Sequence, residues 1–324
     1  IVRVLITGIT SFLGLYTAKL LLQEGHEVIG AVRPGSRRTL ELDAHGISAY
    51  PTYRTVHLDL SELPEAELGE AHYAEVMGDT APLIDAWIHF AWDGVGSAGR
   101  SDTNIQIENI QNAKKAYLYA KLLGARKFLF AGSQAEYGIG NHRVPMPVSP
   151  YGKAKLAFGR WATEQSLLAE IYDDAPMQFI HMRIYSVYGS GDHETSLVNT
   201  VLRAALRHEA ITLGPCEQRW NYLEVHDLAR AIRILLSSED TRTGIYDIAG
   251  SDSRILKKYV IAMNSIAGNG AELRFGTRAN NAEGAANMSP EILKLQRLGF
   301  HQEISFEAGI GMLLKAMREK SAES

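Results

Sequence analysis

Cysteine is almost missing from this chain: Cys216 is the only one in 324 residues. A single thiol excludes an intrachain disulfide and any zinc site built from cysteines, and it fits a reducing, cytoplasmic setting. Cys216 itself is expected to be a plain surface-loop thiol. Charge of one sign is not in excess either. The 33 basic and 37 acidic side chains leave a net −4, which offers no field for nucleic acid or for an anionic membrane surface. No apolar run approaches the roughly 18 residues of a membrane helix, so no span is expected. The opening Ile1-Val2-Arg3-Val4-Leu5-Ile6 stops at Gly8 and is expected as a buried strand rather than a signal segment. None of the eleven histidines has a metal-type spacing, and no metal is expected. Repeats, low-complexity tracts and a linker to an independent second domain are also lacking.

What is present is alternation. Short apolar runs predict strands at 3–7, 27–32, 55–58, 86–90, 127–131 and 178–184, and between them apolar residues at three- and four-residue spacing predict helices at 13–24, 101–123 and 151–171. That order predicts an α/β fold, a Rossmann-type doubly wound parallel sheet with helices on both faces. Beyond Gly189 the pattern loosens into helices near 196–208 and 226–238, a strand at 245–248, a polar segment at 276–289 and a final helix. Residues 1–184 are therefore expected to form the dinucleotide-binding domain, with part of 221–250 returning to it. Residues 185–324 are expected to build mainly a smaller C-terminal substrate-binding lobe.

The first strand runs through Thr7-Gly8-Ile9-Thr10-Ser11-Phe12-Leu13-Gly14 straight into a helix, the placement a dinucleotide-binding turn requires. Amides at the helix start point at a pyrophosphate, and residues without bulk let it approach. Gly8 and Gly14 supply that room, and Thr10, Ser11, Phe12 and Leu13 complete the stretch expected to meet the cofactor. Ser11 stands where the pattern has its middle glycine; its hydroxyl offers a phosphate donor while its Cβ narrows the turn. The same residues also spell an ordinary strand-to-helix turn, so the motif gains weight only from its company.

Cofactor choice falls at the end of the second strand, where an acidic residue binds a ribose 2′-hydroxyl. This chain has Arg33 there, with Ser36, Arg37 and Arg38 just beyond. Arginine at that point pairs with a 2′-phosphate through charge-assisted hydrogen bonds, so NADP(H) is expected ahead of NAD(H); a solvated basic loop is the alternative. Asp59 and Leu60 follow the third strand, where they meet an adenine edge, although Asp59 is equally placed to cap the next segment.

Tyr151-Gly152-Lys153-Ala154-Lys155 opens a long helix, and the four-residue step puts Tyr151 and Lys155 on one face. A phenol is a poor acid or base at neutral pH, and a neighbouring ammonium stabilises its anion, which gives the pairing a chemical purpose. Upstream, a buried strand ends in Gly132-Ser133-Gln134-Ala135-Glu136-Tyr137-Gly138. Here the chain resembles the extended short-chain dehydrogenases, whose strand-end serine or threonine lies four residues before a Tyr-Gly pair. The resemblance runs from Gly8 through His89-Phe90-Ala91, Ser133, Tyr151 and Lys155 to Arg183–Gly189 and Trp220–Asp227. The last two segments are similar to those of nucleotide-sugar epimerases, dehydratases and reductases.

The resemblance implies that Ser133 holds the substrate oxygen while Tyr151 moves a proton, and that Asn109 supports Lys155 through water or is simply a solvated helix residue. It places Phe90 and Ala91 against the cofactor, and Trp92, Gln134, Ser186, Arg219 and Trp220 around the substrate. It also implies a homodimer acting on a nucleotide-linked, deoxy sugar. Dehydratases of this group carry an Asp-Glu pair after the strand-end hydroxyl, where this chain has Gln134 and Ala135, and Glu136 one residue on is expected to point to another face. Reduction of a 4-keto sugar or 4-epimerisation remains. Trp220 replaces the arginine that grips a diphosphate, and Ser186 replaces an asparagine common in the epimerases. A small-ketone reductase similar to the dihydroflavonol reductases, and a non-enzymatic NADP-binding sensor, stay open as alternatives.

Overall fold

A computed structural model of the chain describes residues 1–63, 84–278 and 289–323. Most of the polar segment expected at 276–289 lies outside the described residues. Twelve strands are described: β1 (Arg3–Thr7), β2 (Glu27–Val32), β3 (Tyr53–His57), β4 (Ala86–His89), β5 (Lys127–Ser133), β6 (Gln178–Ile184), β7 (Ser186–Tyr188), β8 (Ala210–Thr212), β9 (Arg219–Glu224), β10 (Gly244–Ile248), β11 (Ser253–Ile255) and β12 (Glu272–Arg274).

Residues at alternate positions of a strand face opposite sides, so an apolar run without polar interruption requires cover on both. In β1, Val4 and Ile6 pack with the Phe12–Gln23 and Val225–Ser237 helices through residues such as Leu21, Leu228 and Ile232. Leu5 faces the other way, into a cluster with Trp87, Phe128, Phe130, Phe158 and Phe179 under the Thr103–Leu122 and Pro150–Tyr172 helices. The result is a seven-stranded sheet in the order β3-β2-β1-β4-β5-β6-β10, with every neighbouring pair parallel. The order reverses between β1 and β4, the point at which α/β sheets bind ligands beyond the carboxyl ends of their strands.

The chain leaves this sheet after β6 and comes back only at β10, which pairs with the last five residues of β6, from Gly244 opposite Ile180 to Ile248 opposite Ile184. Between and after these strands stands a smaller lobe. It has a β11-β9-β7 sheet, a β12-β8 pair and a core of its own that includes Tyr188, Leu202, Tyr222, Tyr259, Met263 and Phe306. Cys216 belongs to that core with 5% of its surface exposed, which corrects the expectation of a surface thiol. Its backbone has φ 54°, and the turn carries its side chain inward against the Leu256–Ile266 helix region rather than out to solvent.

Candidate active site

β1 ends in Thr7, and Gly8 turns the chain with φ 69°; a Cβ there would lie 2.7 Å from the Ala91 amide nitrogen, which follows β4. A Cβ at Gly14 would fall 2.4 Å from the Gly8 carbonyl oxygen, so the helix start and the strand end touch backbone to backbone. Ser11 caps the helix, its hydroxyl accepting from the Gly14 amide at 3.1 Å and its carbonyl accepting from Leu15. The amides of Phe12 and Leu13 have no acceptor among the described residues. Arg38, rather than Arg37, holds this turn from outside by donating to the Thr10 carbonyl at 3.0 Å.

Arg33 follows β2 with a mostly exposed guanidinium 3.5 Å from Asp93. Ser36 caps a short turn by accepting from the Arg38 amide, and Arg37 is exposed. Asp59 takes the capping geometry, accepting from the Ser61 amide and hydroxyl at 2.9 and 2.6 Å; those bonds to Ser61, against some burial, hold its carboxyl below its usual range. Leu60 is half-buried beside it.

A cavity of about 490 Å³ opens beyond the carboxyl ends of β1, β4 and β5, between the sheet and the smaller lobe. Its lining brings together Ser11, Phe12, Leu13, Phe90, Trp92, Ser133, Gln134, Tyr151, Lys155, Ser186 and Trp220. Gly8, Thr10, Gly14, Arg33, Ser36, Arg37, Asp59, Leu60, Ala91, Asn109 and Arg219 lie outside that lining. Another hollow, of about 520 Å³, runs along the outer side of the Pro150–Tyr172 helix past Leu156, Gly159, Leu167 and Ile171, and holds none of the catalytic candidates.

The geometry at the centre of the cavity follows from three local structures. Ser149 caps the Pro150–Tyr172 helix, accepting from Gly152 at 3.1 Å, with Pro150 at its first turn where no amide is lost. One turn on, Lys155 is buried, its Nζ donating to the Ala131 carbonyl and lying 5.1 Å from the Tyr151 ring centroid and 4.7 Å from that of Trp92. Tyr151 is 6% exposed, and its hydroxyl makes no hydrogen bond to the described residues. β5 runs to Ser133, two residues further than its apolar run indicated, because Gly132 and Ser133 stay paired with Arg183 and Ile184. The Ser133 hydroxyl accepts from the Ala135 amide at 3.1 Å. Since a hydroxyl also carries one proton to donate, that donor is left for a ligand.

The remaining candidates are held by other contacts. The buried Asn109 amide accepts from the Asp93 amide at 2.9 Å and donates to the Asp93 carbonyl at 2.8 Å, so it fastens the loop after β4 and is not a solvated helix residue. Trp92 donates to Gln106 at 2.8 Å, and Gln134 donates to Ser186 at 3.2 Å across the cavity wall. Trp220 is half-buried against the lobe core, while Arg219 is exposed and donates to the Ser253 carbonyl. His89 packs beneath the site, bonded to Thr7 at 2.8 Å; burial, with the Lys155 charge nearby, pushes it down to about 3 and keeps it neutral.

Two groups were not legible from spacing. Arg100, also on the lining, sets its guanidinium 4.5 Å over the Tyr151 ring and donates to the Val95 carbonyl at 2.7 Å. Glu136 does turn away from the cavity, but it is wholly buried against His181 and Arg183. Among the described residues no His, Cys, Asp and Glu cluster could hold a metal, and no helix is long and apolar enough to cross a membrane.

The sequence profile of the NAD dependent epimerase/dehydratase family matches residues 4–249. A CDP-abequose synthase of Yersinia pseudotuberculosis is 24% identical over 287 residues, 86% of this chain and 89% of its own. Among solved structures, a UDP-glucose 4-epimerase of Thermotoga maritima with UDP-glucose superposes with a TM-score of 0.79 at 18% identity, covering 98% of this chain and 99% of its own. A UDP-glucose 4-epimerase of Thermus thermophilus in complex with NAD gives 0.73 at 22% identity over the same shares.

Proposed function

The chain belongs to the NAD dependent epimerase/dehydratase family and is an NAD(P)-dependent enzyme of the short-chain dehydrogenase/reductase type; from that premise we propose that it reduces the 4-keto group of a nucleotide-linked deoxysugar with NADPH. The observation that carries this reading is the convergence of Ser133, Tyr151 and Lys155 with the Ser11–Leu13 turn on one cavity.

The residues present fit a nicotinamide dinucleotide: Gly8 and Gly14 have no room for a Cβ, and Phe12 and Leu13, whose amides have no acceptor among the described residues, line the cavity at a helix start, where anions bind. A bound dinucleotide supplies the hydride. The chain's own groups do the rest. Ser133 donates to the substrate carbonyl oxygen and holds it; Tyr151 gives the proton to that oxygen as it becomes an alcohol; Lys155, fixed by Ala131, sets a positive charge beside the phenol as the proton leaves. Gln134, held by Ser186, and the apolar Ala135 provide no acid–base pair for eliminating water, which supports reduction over dehydration. The similarity to CDP-abequose synthase supports a nucleotide-linked sugar as the molecule acted on. We also propose residues 185–324 as mainly the substrate lobe, and a homodimer, whose light-scattering mass would be twice that of one chain.

Absorbance at the NADPH band during incubation with CDP-4-keto-6-deoxyglucose tests the proposal. Stoichiometric NADPH loss is expected. Sugar conversion without NADPH loss would mean epimerisation, turnover of simple ketones alone would mean a small-ketone reductase, and binding without any turnover would mean a sensor.

A further inference from the structure

Glu136 occupies the centre of a buried ionic cluster directly behind the strand end that carries Ser133. Its side chain has no exposed surface. Oε1 accepts from the Ser133 amide at 2.8 Å, His181 Nε2 lies 3.0 Å from Oε1 and 2.9 Å from Oε2, and Arg183 Nε donates to Oε2 at 2.9 Å. His181 and Arg183 are alternate residues of β6, which puts both on one face of the sheet. Burial pushes the Glu136 carboxyl up, yet His181, Arg183 and the Ser133 amide together hold it below the usual range. The surrounding backbone has been left bare for the cluster. A Cβ at Gly132 would lie 2.5 Å from Glu136 Oε1, and one at Gly159 would lie 2.2 Å from His181 Cε1.

Removing a carboxylate and a guanidinium from water is costly, and apolar residues of the same size often pack there at no loss of stability. The cluster is therefore better understood through what it fixes. Glu136 is the third residue of the turn that Ser133 caps, so its carboxylate reaches back to the Ser133 amide while the Ser133 hydroxyl accepts from Ala135. These two reciprocal bonds set both the backbone and the side-chain rotation of Ser133. With the Ser133 oxygen held in place and one of its two lone pairs occupied, the turn narrows the directions in which its one proton can point.

We propose that Glu136, braced by His181 and Arg183, is a positioning residue that fixes the direction in which Ser133 donates its hydrogen bond to the substrate oxygen. This rests on the reading of Ser133 as the oxygen-holding hydroxyl. The step adds no bond change to the reaction. It acts through alignment, where a misplacement of about 1 Å can cost ~10²-fold in rate.

The test has two arms, read on Glu136→Gln, with Arg183→Lys as a second variant that keeps the charge. The first is amide hydrogen exchange on the cofactor-free protein: the Ser133 amide is expected to exchange about tenfold faster or more in the variants while Leu129, inside β5, does not change. Unchanged Ser133 exchange would overturn the proposal. If Leu129 accelerates equally in one variant, that variant has loosened globally and the other is read. The second arm is a double-mutant cycle on NADPH turnover with CDP-4-keto-6-deoxyglucose. Glu136→Gln is expected to lower kcat by roughly 10–100-fold with KM within about twofold, and to lower it little further in a Ser133→Ala background, because coupled residues are not additive. Equal losses in both backgrounds would make Glu136 merely structural and overturn the proposal. Full turnover in Ser133→Ala alone would instead remove the reading of Ser133 beneath it, an outcome that the exchange arm keeps distinct.

Discussion

Arg33 carries the question of cofactor choice on a side chain that is 66% exposed and loosely paired with Asp93. A 2′-phosphate would outcompete that carboxylate through charge-assisted bonds, and Arg37 stands close in sequence to share the charge. NADPH is expected to bind more tightly than NADH, and Arg33→Asp to reverse or abolish the preference. Solvent screening places the loss near the lower end of roughly 1.5–3 kcal/mol, about tenfold in affinity. Calorimetric titrations showing equal affinities for the parent would reject the assignment. Tyr151→Phe keeps the ring between Lys155 and Arg100 and removes the proton, so it is expected to keep NADPH affinity within about twofold and lose at least ~10²-fold in turnover. Parent-like turnover of that variant would take Tyr151 out of the chemistry. The Tyr151–Lys155 pair could be read from the sequence because a helix turns a four-residue step into a shared face. The buried cluster of Glu136 could not: its side-chain partners are 45 and 47 residues away, and only the pairing of β5 with β6 brings them together. Arg100 was hidden for the same reason.

Between Ser133 and the Pro150–Tyr172 helix, a loop folds back on itself through bonds between Tyr137, Ile139 and Met146, and two of its side chains pin it to one carboxylate of the sheet. His142 Nε2 lies 2.6 Å from Asp247 on β10, whose other oxygen accepts from Tyr137. The hydrogen bond to Asp247 raises the His142 pKa, burial opposes it, and the charges of Asp247 and Glu291 add to the rise. A histidine whose folded pKa exceeds its unfolded value stabilises fully below the unfolded value, near ~6.5, and loses that contribution as pH rises through the folded one. The melting temperature of the parent is thus expected to exceed that of His142→Gln by more at about pH 5.5 than at about pH 8.5. A gap that is flat or widens with pH would contradict the pinning. Strand and helix positions in the first half were legible because their periodicity is local; β1, β2 and β6 begin and end where the apolar runs do. β5 outran its apolar run because cross-strand pairing, which no single segment encodes, continues through Gly132 and Ser133. In the smaller lobe, three-residue strands such as β7, β8, β11 and β12 are too short to carry a period.

At the scale of the molecule, the seven-stranded sheet is completed by a strand that in sequence lies beyond much of the smaller lobe. In a chain cut before residue 225, β6 is an edge with open donors and acceptors because β10 is absent, and the Val225–Ser237 helix that covers Val4 and Ile6 is missing as well. A fragment ending at residue 190 is therefore expected to lack a cooperative melting transition and to bind NADPH at least ~10-fold more weakly than the whole chain, as calorimetry would show. A sharp transition with full binding in that fragment would contradict this account. The same detour sets a schedule at the ribosome. After Ile184 is made, about 60 further residues must be added before β10 exists, which at roughly 5–20 residues per second takes ~3–12 s. Throughout that interval the nascent chain presents an unfinished parallel sheet to its surroundings, so its yield in the cell depends on what shields that edge while translation catches up.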